Sequence, residues 1–188
     1  MRNAFPVLAL FGLIILGACN STATGTEATS YLRQGDSLSD FVQKKLSGTL
    51  MEKMKAEGPA GAIAFCNLEA LSITTSAETE GIRIQRVARQ FRNTNNAADS
   101  ADRVVFENFS NAKAMLDTLV PVIKDLGDHY VYYRPILLQQ NCVTCHGVPG
   151  KEIPGGLMAQ IDSLYPRDQA KGFAVGDLRG MWRIEFQK

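Results

Sequence analysis

Histidine and cysteine are scarce in this chain, with two of the first and four of the second in 188 residues. That scarcity excludes a four-ligand zinc centre, because no second Cys/His cluster exists to complete one. An excess of charge of one sign is missing too. Twenty basic residues face nineteen acidic ones, and no basic patch marks a nucleic-acid partner. No Ser/His/Asp or paired-carboxylate arrangement has an interpretable spacing, so the sequence is not read as an enzyme. No segment repeats, which excludes a solenoid or propeller. The apolar run near the start, Ala4 to Leu16, is too short to span a bilayer comfortably. What remains is a chain with 45% apolar residues, enough for a real core in one globular domain.

The few cysteines are informative by position. Cys142-Val143-Thr144-Cys145-His146 is a Cys-x-x-Cys-His motif, the attachment site of a c-type haem. Its spacing follows from the chemistry. Two thiols separated by two residues add as thioethers to the two vinyl groups of one macrocycle, and the next histidine then lies under the iron. A thioredoxin-like motif would need a βαβ context, and none is evident.

Cys19 belongs to a different pattern. Met1-Arg2-Asn3 is a short basic start, followed by the apolar run and Leu16-Gly17-Ala18-Cys19. This resembles the lipobox of bacterial lipoproteins, cut before the cysteine, whose thiol then carries lipid. Residues 1–18 are therefore expected to be a signal peptide, and lipidated Cys19 a membrane anchor that needs no spanning helix. By the same resemblance, Asn20 in place of aspartate points to the outer membrane. Export agrees with haem attachment, which takes place outside the cytoplasm, so the expected location is the periplasmic face of a membrane. Cleavage would remove Arg2 and leave basic and acidic residues equal in number.

The rest of the chain divides into elements. Residues 19–34, rich in Ser, Thr, Ala and Gly, read as a flexible tether, and residues 35–188 as one domain. Ser37 is placed to cap a helix carrying Phe41, Val42, Leu46, Leu50, Met51 and Met54 at helical spacing. Gly58-Pro59 breaks it, and a second helix is expected to about Ile73. Ile82 to Val87 alternates as a strand. Residues 92–100 form a loop before a helix bearing Val105, Phe106 and Phe109. Two strands flank Asp125-Leu126-Gly127-Asp128 as a hairpin, a short helix from Ile136 to Asn141 delivers the haem motif, and a Gly/Pro loop follows. Trp182, Ile184 and Phe186 alternate with charged residues as a closing strand. The expected class is α+β, with N-terminal helices packed on an antiparallel sheet and the attachment loop before the last strand.

Haem iron takes two axial ligands, and His146 supplies one. For the other position the residues leave Cys66, His129, a methionine, water or nothing. Cys66 has no disulfide partner in an oxidising compartment, yet a buried thiol filling a core is common. Arg92, Arg134 and Arg179 are candidates to pair with haem propionates, since a planar guanidinium matches a carboxylate. Surface solvation would account for them equally well. Trp182 and Tyr130, Tyr132 and Tyr133 are candidates to pack on the porphyrin or in the core.

Taken together, Ala62-Ile63-Ala64-Phe65-Cys66, Arg92-Asn93-Thr94-Asn95-Asn96, Tyr133-Arg134-Pro135-Ile136, Cys142-x-x-Cys145-His146-Gly147, Tyr165-Pro166 and Gly176-Asp177-Leu178-Arg179-Gly180 resemble one family. It is a bacterial family of single-haem c-type domains, long catalogued as a domain of unknown function, found alone or as the extracytoplasmic sensing part of signalling proteins. Thr94 stands where that family often has proline. The resemblance implies a PAS-like α+β fold and an unusual histidine/cysteine axial pair, here His146 and Cys66. An anionic thiolate favours ferric iron, and its loss on reduction would open a site for a diatomic or other small ligand.

The expected function is a membrane-anchored, periplasmic mono-haem cytochrome acting as a redox or small-ligand sensor toward a redox or signalling partner protein. The alternatives are a simple electron-transfer cytochrome with His/His or His/Met ligation, and a periplasmic haem enzyme of sulfur oxidation.

Overall fold

The computed structural model describes residues 22–188. The signal peptide, the lipobox and Cys19 lie outside the described residues.

Helix α1 (Thr22–Leu68) is helical throughout except at Gly58, where φ 69° and ψ −172° break it before Pro59. A left-handed φ suits a residue without a Cβ, and proline tolerates the first turn of the helix that restarts there. The break expected at Gly58-Pro59 is thus present. The tether is not as expected, because helix already covers residues 22–34. Ala28, Tyr31 and Leu32 recur at helical spacing and pack on the core, and Tyr31 stacks obliquely on Tyr130 and Phe186 at 4.9 and 5.0 Å. Ser37 accordingly lies inside the helix, its hydroxyl donating to the Arg33 carbonyl at 3.1 Å. A short α2 (Ala70–Thr75) follows.

Strand β1 (Ile82–Val87) falls where the alternation placed it. Helix α3 (Ser100–Ala114) opens on a capping box between Asp99 and Asp102. Strands β2 (Val122–Asp125) and β3 (His129–Leu137) form the expected hairpin. Ile136 and Leu137 extend β3 instead of starting a helix. The polypeptide then turns through residues 140–142 into α4 (Val143–His146), which carries the second half of the haem motif. Helix α5 (Gly155–Leu164) occupies a segment the sequence reading left unassigned. Strand β4 (Leu178–Gln187) closes the fold.

The sheet has the order β1-β4-β3-β2, antiparallel throughout. Period-two alternation gives it two buried faces. On one face, Ile84, Tyr130, Tyr132, Trp182, Ile184 and Phe186 meet Val42 and Leu46 of α1. On the other, Val87, Val131, Tyr133 and Met181 meet Val105, Phe106 and Phe109 of α3. A third cluster joins Ile63 of α1 to Ile153, Leu157, Ile161 and Tyr165, with Cys66 and Cys145 against it. This cluster docks the segment after the haem motif onto the restarted part of α1. Among the described residues no helix is long and apolar enough to cross a membrane.

Candidate functional site

A cavity of about 430 Å³ lies between α1, the sheet and the haem motif, within the range of cofactor pockets. Cys142 and His146 stand in its wall, with Arg86, Arg134, Arg179 and Trp182 from the sheet and Leu46, Leu50 and Met51 from α1. Three strands contribute one row of this wall. Arg86 pairs with Trp182 across β1–β4, and Trp182 pairs with Arg134 across β4–β3. The Trp182 indole N–H donates to Gln43 Oε1 at 3.0 Å, fixing the ring against α1.

His146 is held from behind. Its Nδ1 lies 2.8 Å from the Ala170 carbonyl, which assigns Nδ1 as the protonated nitrogen and leaves Nε2 with a free lone pair. Burial, with the Arg179 and Arg92 charges nearby, drives its pKa well below the ordinary histidine value, so the ring is neutral. The Ala170 carbonyl is itself fixed. Arg92 Nη2 donates to it at 3.1 Å, to the Cys145 carbonyl at 2.6 Å and to Asp168 Oδ2 at 3.1 Å. The Ala170 amide in turn donates to Asp168 Oδ1 at 2.9 Å. Further bonds from the Phe173 amide to the His146 carbonyl and from Gly172 to Gly147 lace the motif to this strap. Gly147 is required by a close approach, since a Cβ there would meet the Val143 carbonyl oxygen and Glu152 Cβ, both at 2.6 Å. The arrangement is that of a metal-ligating histidine whose other ring nitrogen is tied to a carbonyl.

Cys66 packs beside the cavity and is absent from its lining. It sits against the cluster containing Leu46 and Trp182, both in the cavity wall, and against the cluster that also takes Cys145. Burial pushes its thiol up to about 11, with Arg86 the main charge opposing that shift. Burial raises the Cys145 thiol as well. No disulfide joins Cys66, Cys142 and Cys145.

The remaining sequence candidates part company here. Arg179 is in the wall, its guanidinium over the Phe173 ring at 5.4 Å and Nη1 donating to the Gln90 carbonyl at 3.0 Å. Arg134 reaches the rim but is paired with Asp40 at 2.5 Å and donates to Ser39 at 3.2 Å. Arg92 is absent from the lining and occupied by the strap. His129 lies at the other end of β3, opposite Gln187, with Nδ1 2.6 Å from Asp128. Tyr130 and Tyr132 are core residues on the α1 face, and Tyr133 on the α3 face. Arg86, in the wall, was not among the candidates, and Met51 was only one of the methionines left open as a ligand. The signal for Arg86 was present, because Ile82 and Ile84 set the inward parity of β1 and Arg86 continues it. Met51, whose sulfur accepts from Asn141 Nδ2 at 3.0 Å, carried no such mark.

Fold and cavity define a class: an α+β protein with one antiparallel sheet and a cofactor-sized cavity walled by a Cys-x-x-Cys-His motif. The chain belongs to the Tll0287-like family, whose model matches residues 21–186. A solved structure, described as the crystal structure of the cyanobacterial heme-protein Tll0287, is similar at 26% identity and a TM-score of 0.56. The match covers 90% of this chain and 97% of that one. No curated protein matches significantly.

Proposed function

We propose that this protein is a single-haem c-type protein of the bacterial periplasm, anchored through lipidated Cys19, that senses redox state or a small ligand and passes the signal to a partner protein. Haem binding follows from the family and from a solved relative described as a heme-protein. The residues present fit the group. Cys142 in the cavity wall, with Cys145 three residues on, supplies the thioether thiols, and His146 offers a neutral Nε2. Arg86 and Arg179 stand in the cavity wall without a carboxylate partner among the described residues, as expected of a wall built to face an anionic ligand. The antiparallel sheet with its first and last strands adjacent supports the PAS-like reading.

When bound, the haem would supply a one-electron iron couple, held by His146 and one further side chain. The protein's part is to set which side chain that is. Cys66 packs against the cluster that contains Leu46 and Trp182 and against the one that takes Cys145, and it feels the charge of Arg86 in the cavity wall, which supports it as the further ligand. As a thiolate it would hold the iron and favour its oxidised state, so its hold would differ between the two oxidation states, as a sensor requires. One observation favours a second reading. Met51 is in the cavity wall and Cys66 is not, so a His/Met electron-transfer protein is the alternative. Sulfur-oxidising catalysis is the third reading, and turnover of thiosulfate by the purified protein would establish it.

The observation that carries the proposal is His146, tied through Nδ1 in the wall of a cofactor-sized cavity beside Cys142. Electron paramagnetic resonance of the ferric protein tests the ligand set. The expected result is a low-spin thiolate signal that disappears in Cys66→Ala and survives in Met51→Leu. A signal indifferent to Cys66→Ala and altered by Met51→Leu would make the protein an ordinary electron carrier.

A further inference from the structure

The geometry points to a two-arginine carboxylate site in the cavity, formed by Arg86 and Arg179, which holds the two propionates of the haem. This rests on the haem reading above and assigns Arg86 a role that Arg92 and Arg134 do not share. Three independent observations support it.

The first is placement. Arg86 is inward by strand parity, on the α1 face beside Trp182. Arg179 reaches the same cavity by another device. On β3, Ile136 and Leu137 are consecutive, but their partners on β4 are Gly180 and Leu178. Arg179 is therefore the extra residue of a β-bulge, the kind of irregularity that re-aims a side chain beside a site.

The second is partnership. The Arg86 side chain makes no hydrogen bond or ion pair among the described residues, and that of Arg179 has only a backbone carbonyl and an aromatic ring. Neither lies within ion-pair distance of a carboxylate among the described residues, although both stand in the cavity wall. Arg92 and Arg134, by contrast, are committed to Asp168 and Asp40.

The third is electrostatic. Burial lowers the affinity of both guanidinium groups for their protons, and Arg92 and Arg86 lower that of Arg179 further, to about 9. Like charges gathered in a cavity wall call for an anion, and a planar fork suits a carboxylate.

Resonance Raman spectra of the ferric holoprotein test this through the propionate bending bands. Arg86→Gln and Arg179→Gln should each shift those bands while leaving the axial-ligand signature unchanged, and Arg86→Lys should restore most of the Arg86 effect. Arg183→Gln, on a strand neighbour outside the cavity, should leave the bands alone. Haem-loaded variants with unshifted bands would overturn the assignment while leaving the haem reading intact, whereas a wild type that carries no haem overturns both. Malonate, a soluble dicarboxylate, distinguishes the source of the anion. It should not perturb the spectrum of the wild type, whose arginines are already engaged. Saturable malonate binding lost in both Gln variants would give the site to a free anion instead.

Discussion

Two pairs of arginines are carried into this molecule, and the protein treats them differently. Arg183 brings its counter-charges with it, lying 3.1 Å from Asp102 and 2.5 Å from Glu185. Arg92 is likewise matched by Asp168, at 3.1 Å, and spans two backbone carbonyls. Arg86 and Arg179 have no carboxylate among the described residues. Removing a charge from water costs several kcal/mol, which a paired group recovers and an unpaired group does not. The paired arginines are explained by the polypeptide alone: one ties β4 to α3, the other braces the strap behind His146. The unpaired ones are explained only by what enters the cavity they face. On the proposed reading, half-buried charges without a carboxylate partner mark the part of the fold that receives the ligand.

The strongest way to break this contrast is to move Arg183 into the unpaired class. Asp102 is buried, caps α3 and accepts from the Tyr133 hydroxyl at 3.0 Å. Asp102→Ala should cost about 3–5 kcal/mol in urea unfolding of the holoprotein. Its visible spectrum should not change, because the damage falls on the α3 face.

Asp168→Asn sharpens the contrast at somewhat smaller cost. It weakens the hold on Arg92 and on the Ala170 amide, with an expected loss of about 1.5–3 kcal/mol. Here the spectrum should move, since the Ala170 carbonyl that holds His146 loses its brace. An unchanged spectrum would separate the strap from the site.

The paired region also carries a pH signature. Burial and then the Asp102 charge push Tyr133 from 10 to about 12. A group raised in the folded state stabilises fully below its unfolded value, and that contribution is lost as pH climbs toward the folded value. Stability should therefore fall between pH 10 and about 12, with Tyr165, also pushed up to about 12, adding to the slope. Tyr133→Phe should make this alkaline limb shallower in pH-dependent unfolding. The smallest effect belongs to the rim. Arg134 and Asp40 are both substantially exposed, so Asp40→Asn should change stability by at most about 1 kcal/mol.

How much of this was legible in the sequence differs between regions for physical reasons. The Cys-x-x-Cys-His motif is local, five consecutive residues, and its place in the cavity wall is where the sequence singled it out. Strand β1 and the closing strand were readable because alternation is local too. Helix over residues 22–34 was not, because composition suggested a tether while Tyr31 finds its ring partners, Tyr130 and Phe186, on strands far along the chain. The end of β3 was missed for a similar reason, since Leu137 is extended by its pairing with β4. The bulge at Arg179 exists only in the register between two strands and leaves no mark in the sequence. Arg86 did leave one, a charge at an inward position, but only the surrounding absence of carboxylates gives it meaning. The paired Arg92 and Arg134 looked equally suited to propionates because their carboxylates are 76 and 94 residues distant.

The intact mass of the mature protein, produced in a host with haem c maturation machinery, tests most directly whether a haem fills this cavity. One covalent haem on the wild type is the predicted result, with none on the Cys142→Ser/Cys145→Ser double variant. A wild-type chain carrying no haem mass, its two motif cysteines free or joined as a disulfide, would contradict it.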